Sequence, residues 1–156
     1  METTKIKYNF NDSFGFLIVK AGRLIENRLR INFESENITI TPQQWSALTY
    51  LWNEDGISQQ QLANAFSKDK TSITRLLNNM ERNNFIIRKS VNKDRRSKNI
   101  YLTEKSKLLK EKSIKIAQET LAEILDGIDY TKLKISKQVL KEVCENIELL
   151  NPNFTK

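Results

Sequence analysis

The sequence predicts a mainly α-helical protein with one small β-hairpin, arranged as a winged helix-turn-helix flanked by dimerisation helices at both ends. Three observations predict it. Apolar residues recur at steps of three and four through most of the 156 residues; glycine and proline are scarce, at four and two; and the helical period breaks once, for two short β-prone runs around a basic tip. A chain of this length holds one core, or a small domain with an oligomerisation appendage, and 38% hydrophobic with 29% charged residues is the composition of a folded protein.

Asp12 or Ser13 can cap a first helix that runs to about Phe33, with Leu17, Ala21, Leu24, Ile25 and Leu29 as its apolar stripe. Such a stripe needs a partner surface. Thr41-Pro42-Gln43-Gln44 announces the second helix, with Thr41 as N-cap, Pro42 at the first helical position and Gln44 closing a capping box. Its predicted buried stripe is Trp45, Leu48, Leu51 and Trp52. After a turn at Asn53 to Gly56, Ser58 and Gln61 repeat the capping pattern ahead of a short helix carrying Leu62, Ala63 and Phe66. Asp69 then caps a fourth helix whose Ile73, Leu76, Leu77 and Met80 form one apolar stripe opposite a polar, cationic face.

The runs Phe85 to Lys89 and Lys98 to Leu102 read as paired strands around a polar tip at Asn92 to Arg96. Thr103 restarts helix, and Leu108, Leu109, Ile116, Leu121, Ile124 and Leu125 are its apolar positions before Gly127 ends the run. A last helix from about Thr131 carries Leu133, Leu140, Val143, Ile147 and Leu150, a near-heptad series with Ser136 as its gap, which is the spacing of a helix-packing seam. The predicted organisation is therefore a dimerisation helix in residues 1–36, a winged helix-turn-helix in 41–103, and dimerisation helices in 104–156.

The absence of histidine removes the commonest metal ligand and the commonest general acid or base, and a single cysteine, Cys144, excludes an intrachain disulfide. With no glycine-rich phosphate loop and no ordered nucleophile-and-base set, the chain does not read as an enzyme. No apolar run reaches membrane-spanning length and Met1 to Asn11 lacks signal-peptide character, so a cytoplasmic protein with no membrane partner is expected.

The net charge of +7 is unevenly placed. Fifteen of the 26 Lys/Arg and five of the 19 Asp/Glu fall between Lys68 and Lys115, so this segment carries +10 and the remainder −3. A concentrated positive field is the footprint of a nucleic-acid surface, although a solvated lysine-rich face has the same composition. The order of elements decides between them: two helices around a tight turn, the second polar outside, followed by a basic hairpin. In such a unit the second helix enters the major groove of double-stranded DNA while the first braces it. Lys70, Thr71, Ser72, Thr74, Arg75 and Asn78 are the candidate contacts on that helix. Arg75 has the reach for a bidentate guanine contact and Asn78 for adenine. Ser72 and Thr71 also suit ordinary first-turn capping. At the hairpin tip Lys93, Arg95 and Arg96 suit the minor groove; one arginine can enter DNA while the other pairs with an acid such as Asp94 or Asp69, which would support the wing.

Gly56-Ile57-Ser58-Gln59…Leu62-Ala63, Asp69-Lys70-Thr71-Ser72-Ile73-Thr74-Arg75-Leu76, Glu81-Arg82-Asn83-Asn84-Phe85-Ile86-Ile87-Arg88 and Asp94-Arg95-Arg96-Ser97…Ile100…Leu102-Thr103 together resemble the motif series of the MarR (multiple antibiotic resistance regulator) family. The resemblance runs from about Phe14 to Lys115 and implies a winged-helix transcriptional regulator. It also implies that the first and last two helices build a two-fold dimer, and that a DNA-reading helix spans Lys70 to Arg82 with a wing arginine at Arg95 or Arg96. Two positions depart from the family pattern: Ser106 and Asn84 stand where glycine is common. Asn tolerates the left-handed backbone, so Asn84 is expected to be harmless, whereas Ser106 is expected to alter the wing-to-helix junction slightly.

The resemblance further implies a repressor or activator without a cofactor, read here as a ligand-responsive repressor, and a two-fold dimer presenting two recognition helices calls for a near-palindromic operator. A small anionic or aromatic effector would sit where the dimer region meets the DNA-binding lobe. Phe14, Arg23, Trp45 and Trp52 are the candidates to line that space, against a reading of the aromatics as plain core. Cys144 is a poor redox sensor beside Glu145 and reads as a packing residue. The competing function is an RNA-binding or nucleoid-coating protein that uses the same basic surface without sequence choice.

Overall fold

The computed structural model describes residues 9–91 and 94–150, and for residues 91 and 94–97 the backbone alone. A 3-10 turn at Phe10–Asp12 leads into α1 (Phe14–Ser35), followed by α2 (Pro42–Asn53), β1 (Ile57–Ser58), α3 (Gln59–Ala65) and α4 (Lys70–Arg82). Then come β2 (Ile86–Val91), β3 (Asp94–Leu102), α5 (Glu104–Ile124) and α6 (Tyr130–Leu150). The fold is mainly helical with a three-stranded antiparallel sheet in the order β1-β3-β2, which is the winged helix-turn-helix expected.

The helix starts follow their capping chemistry. Ser13 accepts from the Phe16 amide, so Asp12 belongs to the preceding turn, while Thr41 with Gln44 and Ser58 with Gln61 both close full capping boxes. Gln44 does more than cap. Its Oε1 accepts from the Thr41 amide at 2.9 Å while Nε2 donates to Asn79 Oδ1 at 2.6 Å, so the buried Gln44 also fastens the start of α2 to α4. Thr41→Ala is expected to cost about 1 kcal/mol, the usual value of an N-cap side chain, read as a lowered midpoint in urea with an unchanged slope.

At the far end of α4, Asn84 takes the left-handed backbone (φ 58°) and lets the Phe85 amide reach back to the Met80 carbonyl at 2.9 Å. That reversal closes the helix and starts β2. Thr103 restarts helix by accepting from the Ser106 amide. Ser106 is fully buried, its hydroxyl donating to the Phe85 carbonyl, so the serine joins α5 to the end of the α4–β2 turn.

Several elements differ from expectation. The strands are longer than the apolar runs, and Asp94 to Arg96, read as tip residues, fall within β3. β1 was not foreseen, because two residues carry no alternation; it pairs Ile57 with Ile100 and Ser58 with Asn99. Gly56 precedes it at φ +78°, its Cα lying so near the Tyr101 ring that a Cβ would meet Cε1 at 2.9 Å.

On α5 only Leu109 of the three leucines packs against the core. Leu108 and Leu121 are exposed, whereas Ser106, Ser113 and Thr120, spaced by seven, are buried beside Ile116. Small side chains permit close approach, and the Ser113 and Thr120 hydroxyls bond back to the Leu109 and Ile116 carbonyls four residues earlier.

The core gathers Phe33, Ile38 and Ile40 with Ala47, Leu48, Leu51, Leu62, Ile73, Leu77, Met80, Ile86 and Ile100, and so belongs to the middle of the chain. The outer helices are different. Phe33 is the single buried residue of α1, α6 has none, and Leu17, Leu24, Ile25, Leu140 and Ile147 are exposed. Among the described residues the predicted stripe of α1 therefore joins the core only near Leu29. α1 is tied to α5 by Asn32 Nδ2 donating to Thr120 Oγ1 at 2.8 Å and by Arg28 paired with Glu123. Among the described residues no helix is long and apolar enough to cross a membrane.

Candidate nucleic-acid interface

α4 is held by its apolar stripe, with Ile73, Leu77 and Met80 fully buried and Leu76 packed against the core. What lies opposite is set by the helical period. Asp69 caps the helix, its carboxylate accepting from the Ser72 amide at 2.9 Å and the Ser72 hydroxyl at 2.6 Å. These two bonds, the hydroxyl's first, hold the Asp69 carboxyl below its ordinary pKa. A carboxyl lowered in this way stabilises the helix start at neutral pH, and that contribution is lost as pH falls through the lowered value.

The six α4 candidates divide once their partners are seen. Thr71 and Arg75 are exposed and their side chains enter no hydrogen bond among the described residues, and Lys70 lies at the exposed start of the helix. Ser72 is exposed but spends its hydroxyl on the Asp69 cap. Thr74 faces α3: its Oγ1 accepts from Gln59 Nε2 at 2.6 Å and donates to the Lys70 carbonyl at 2.7 Å. Thr74 is thus a strut between the two helices of the helix-turn-helix. Asn78 accepts from Arg88 Nη2 at 2.7 Å, which commits its oxygen to the wing.

Arg88 was not among the predicted site residues. From β2 it binds Glu81 through Nε at 3.0 Å and through Nη2, while the Arg88 amide reaches Glu81 Oε1 at 3.3 Å. Glu81 is held below the usual carboxylate pKa chiefly by the Arg88 hydrogen bond, against a partial burial that opposes it. The guanidinium therefore joins α4 to the wing as one unit. The available signal was strand parity: Arg88 lies two residues after the buried Ile86 and shares its face, although the hairpin rule alone does not say that α4 lies beneath. The positions of Lys93, and of the Asp94, Arg95 and Arg96 side chains, lie outside the described residues.

The four candidate effector-lining residues do not come together. Phe14 and Arg23 border an open cleft of about 1140 Å³ along the first turns of α1, with Phe10, Phe16 and Val19. Trp45 and Trp52 instead pack edge-on against the core beside Phe33, half-buried, with ring centroids 5.3 and 5.5 Å apart along the series, and the Trp52 indole donates to the Ser106 carbonyl at 3.1 Å. Phe14 and Phe33 are nineteen residues apart on one helix, roughly 28 Å, so within one chain Phe14 and the tryptophan pair lie towards opposite ends of α1. Cys144, read as a packing residue, is exposed on α6 within this chain.

A MarR family model matches residues 40–98, the stretch from α2 into the wing. The organic hydroperoxide resistance transcriptional regulator of Bacillus subtilis (strain 168) is 32% identical over 108 residues, covering 69% of this chain and 74% of that protein. The chain belongs to the MarR family. Two solved MarR-family structures support the assignment through the fold. A MarR transcriptional regulator from Methanosarcina mazei Go1 superposes with a TM-score of 0.75 at 27% identity, over 87% of this chain and 96% of that one. A MarR family transcriptional regulator from Listeria monocytogenes, solved in complex with a 26mer DNA, superposes with a TM-score of 0.73 at 26% identity, over 86% and 89%. As a MarR-family member the chain is a DNA-binding transcriptional regulator rather than an enzyme.

Proposed function

We propose that two copies of this chain form a homodimer that reads a near-palindromic DNA operator as a ligand-responsive repressor. The observation that carries the reading is the build of α4: one face is locked into the core and onto the wing, and the other leaves Thr71 and Arg75 exposed for base edges in a major groove. The Listeria relative was captured on DNA with the same fold. Residues 41–103 form the reading lobe, and the exposed apolar faces of α1 and α6, in residues 1–36 and 104–156, meet a second copy. A two-fold pair places two recognition helices on half-sites about 34 Å apart.

Within the reading lobe Arg75 and Thr71 carry base choice, Lys70 and Ser72 approach the backbone, and Thr74 and Asn78 position the helix. Lys93, Arg95 and Arg96 serve the minor groove. A small anionic or aromatic effector acts by favouring one spacing of the two lobes over another; one with equal affinity for both spacings would change nothing.

Selection of bound duplexes from a random library, followed by titration against salt, tests the reading. A preferred, near-palindromic site is expected. Binding with a steep salt slope but no preferred site would instead identify a coating protein that grips phosphates alone. Arg75→Ala is expected to lower affinity about 5- to 150-fold and to relax choice at particular base pairs, the range of one bidentate contact, whereas Arg95→Ala weakens binding with less change in choice. Full affinity in both variants would remove these residues from the groove.

A further inference from the structure

The inner face of the wing changes character along its length. Ile86, Ile100 and Leu102 cover the core, whereas Arg88, paired with Ile100, and Lys98, paired with Ser90, continue the same face as cations. Beyond the last apolar residue this face borders a cleft of about 280 Å³ between the sheet, the start of α3 and the start of α4. Lys70, Arg88 and Lys98 line it together with Ser58, Gln59 and Gln60.

The charges in this cleft are unequally engaged. Arg88 is committed to Glu81 and Asn78, and the Glu81 carboxylate that also feels Lys98 is already held by that guanidinium. Lys70 and Lys98 are exposed and pair with no carboxylate among the described residues. The Ser58 hydroxyl accepts from the Gln61 amide and retains its proton to donate. Two point-charge ammonium groups and a hydroxyl donor, with no acid among the described residues that line the cleft, form a receptor for one anionic oxygen cluster.

We propose that this cleft seats a DNA backbone phosphate, with Lys98 as a phosphate-holding residue outside both the reading helix face and the wing tip. The inference rests on the proposed DNA-binding function and gives it a fixed register. The strand passing from a major groove filled by α4 to a minor groove met by the wing must cross the region between them, and the cleft lies between the start of α4 and the wing strands. A phosphate held there sets how deep α4 sits and carries no base information itself.

The test uses the full-length protein with a duplex selected from a random library and with a random-sequence duplex. Lys98→Gln is expected to lower the slope of log affinity against log salt by about 0.9 for each lobe engaged, and affinity at 0.1 M salt about 8-fold per lobe. The order of preference among sequences stays unchanged, and Lys98→Arg restores the slope. A neutral methylphosphonate, walked along the selected duplex, should at one backbone position weaken the wild-type protein more than Lys98→Gln, in which Lys70 alone still meets the charge; because this change is on the DNA, it does not depend on the variant's stability.

An unchanged slope in Lys98→Gln, with sequence-selective binding intact, would overturn the phosphate seat and leave the proposed function standing. Altered base preference in Lys98→Gln would likewise overturn it, because Lys98 would then read bases. Saturable binding of inorganic phosphate to the DNA-free protein, abolished in Lys98→Gln while duplex binding is not, would assign the cleft to a free anion. Failure of the wild-type protein to bind any duplex would overturn the function and the seat together.

Discussion

Leu140→Glu combined with Ile147→Glu is expected to convert the proposed homodimer into a folded monomer and to lower affinity for the selected operator by about 10²- to 10⁴-fold, the gain that linking two half-sites supplies. The two positions are seven residues apart on α6, 41% and 51% exposed in the single chain, within the series that also carries Leu133, Val143 and Leu150. A 21-residue helix with no buried side chain draws little stability from its own chain. In a paired state the same residues would be removed from water, and a carboxylate placed among them would have to be desolvated without a partner. The monomer nevertheless keeps its core, because α6 contributes nothing to it. Sedimentation equilibrium reads the mass and a duplex titration the affinity; a variant that remained dimeric would show that the seam of α6 is not the interface.

Leu77→Ala should be the most damaging single truncation of the reading lobe, costing about 2–5 kcal/mol. Leu77 is fully buried, and it lies at the centre of the stripe by which Ile73 and Met80 also fix α4. The neighbours cannot collapse freely into the vacated space. α4 is fastened on its other sides by Gln44 to Asn79, Gln59 to Thr74 and Arg88 to Glu81, so the cavity remains and adds to the lost transfer energy. For a chain of this size the loss corresponds to a fall in Tm on the order of 10 °C. A thermal melt followed by circular dichroism measures it, and a fall of only a degree or two would mean that α4 is held by its polar ties and not by the stripe. DNA binding at low temperature should survive in part, because Arg75 and Thr71 are untouched.

Much of the reading lobe was legible because it is built from local rules. Thr41, Ser58, Asp69 and Thr103 each cap the helix they precede, and a cap acts within three residues. Asn84 supplies the left-handed turn at a position where glycine is common, which is also a local matter. The buried stripe of α4 follows from the helical period, and so does the exposure of Arg75 two positions after Ile73. The division of the remaining candidates was not legible. Thr74 and Asn78 share the polar face with Arg75, and only the placement of Gln59 and Arg88 shows that their oxygens are occupied.

Period and capping determined that this chain is helical, where its helices start, and that a basic hairpin follows the fourth of them; these are contests between neighbouring residues, settled within one or two turns. Tertiary packing decided the rest. It brought Ser106, Ser113 and Thr120 to the inner face of α5 in place of Leu108 and Leu121, added the two-residue strand at Ile57, set the Trp45–Trp52 pair apart from Phe14, and turned the inner face of the wing into a cleft bearing Lys98. Each of these depends on which surface arrives opposite a residue from far along the chain, and no pattern within a single element carries that information.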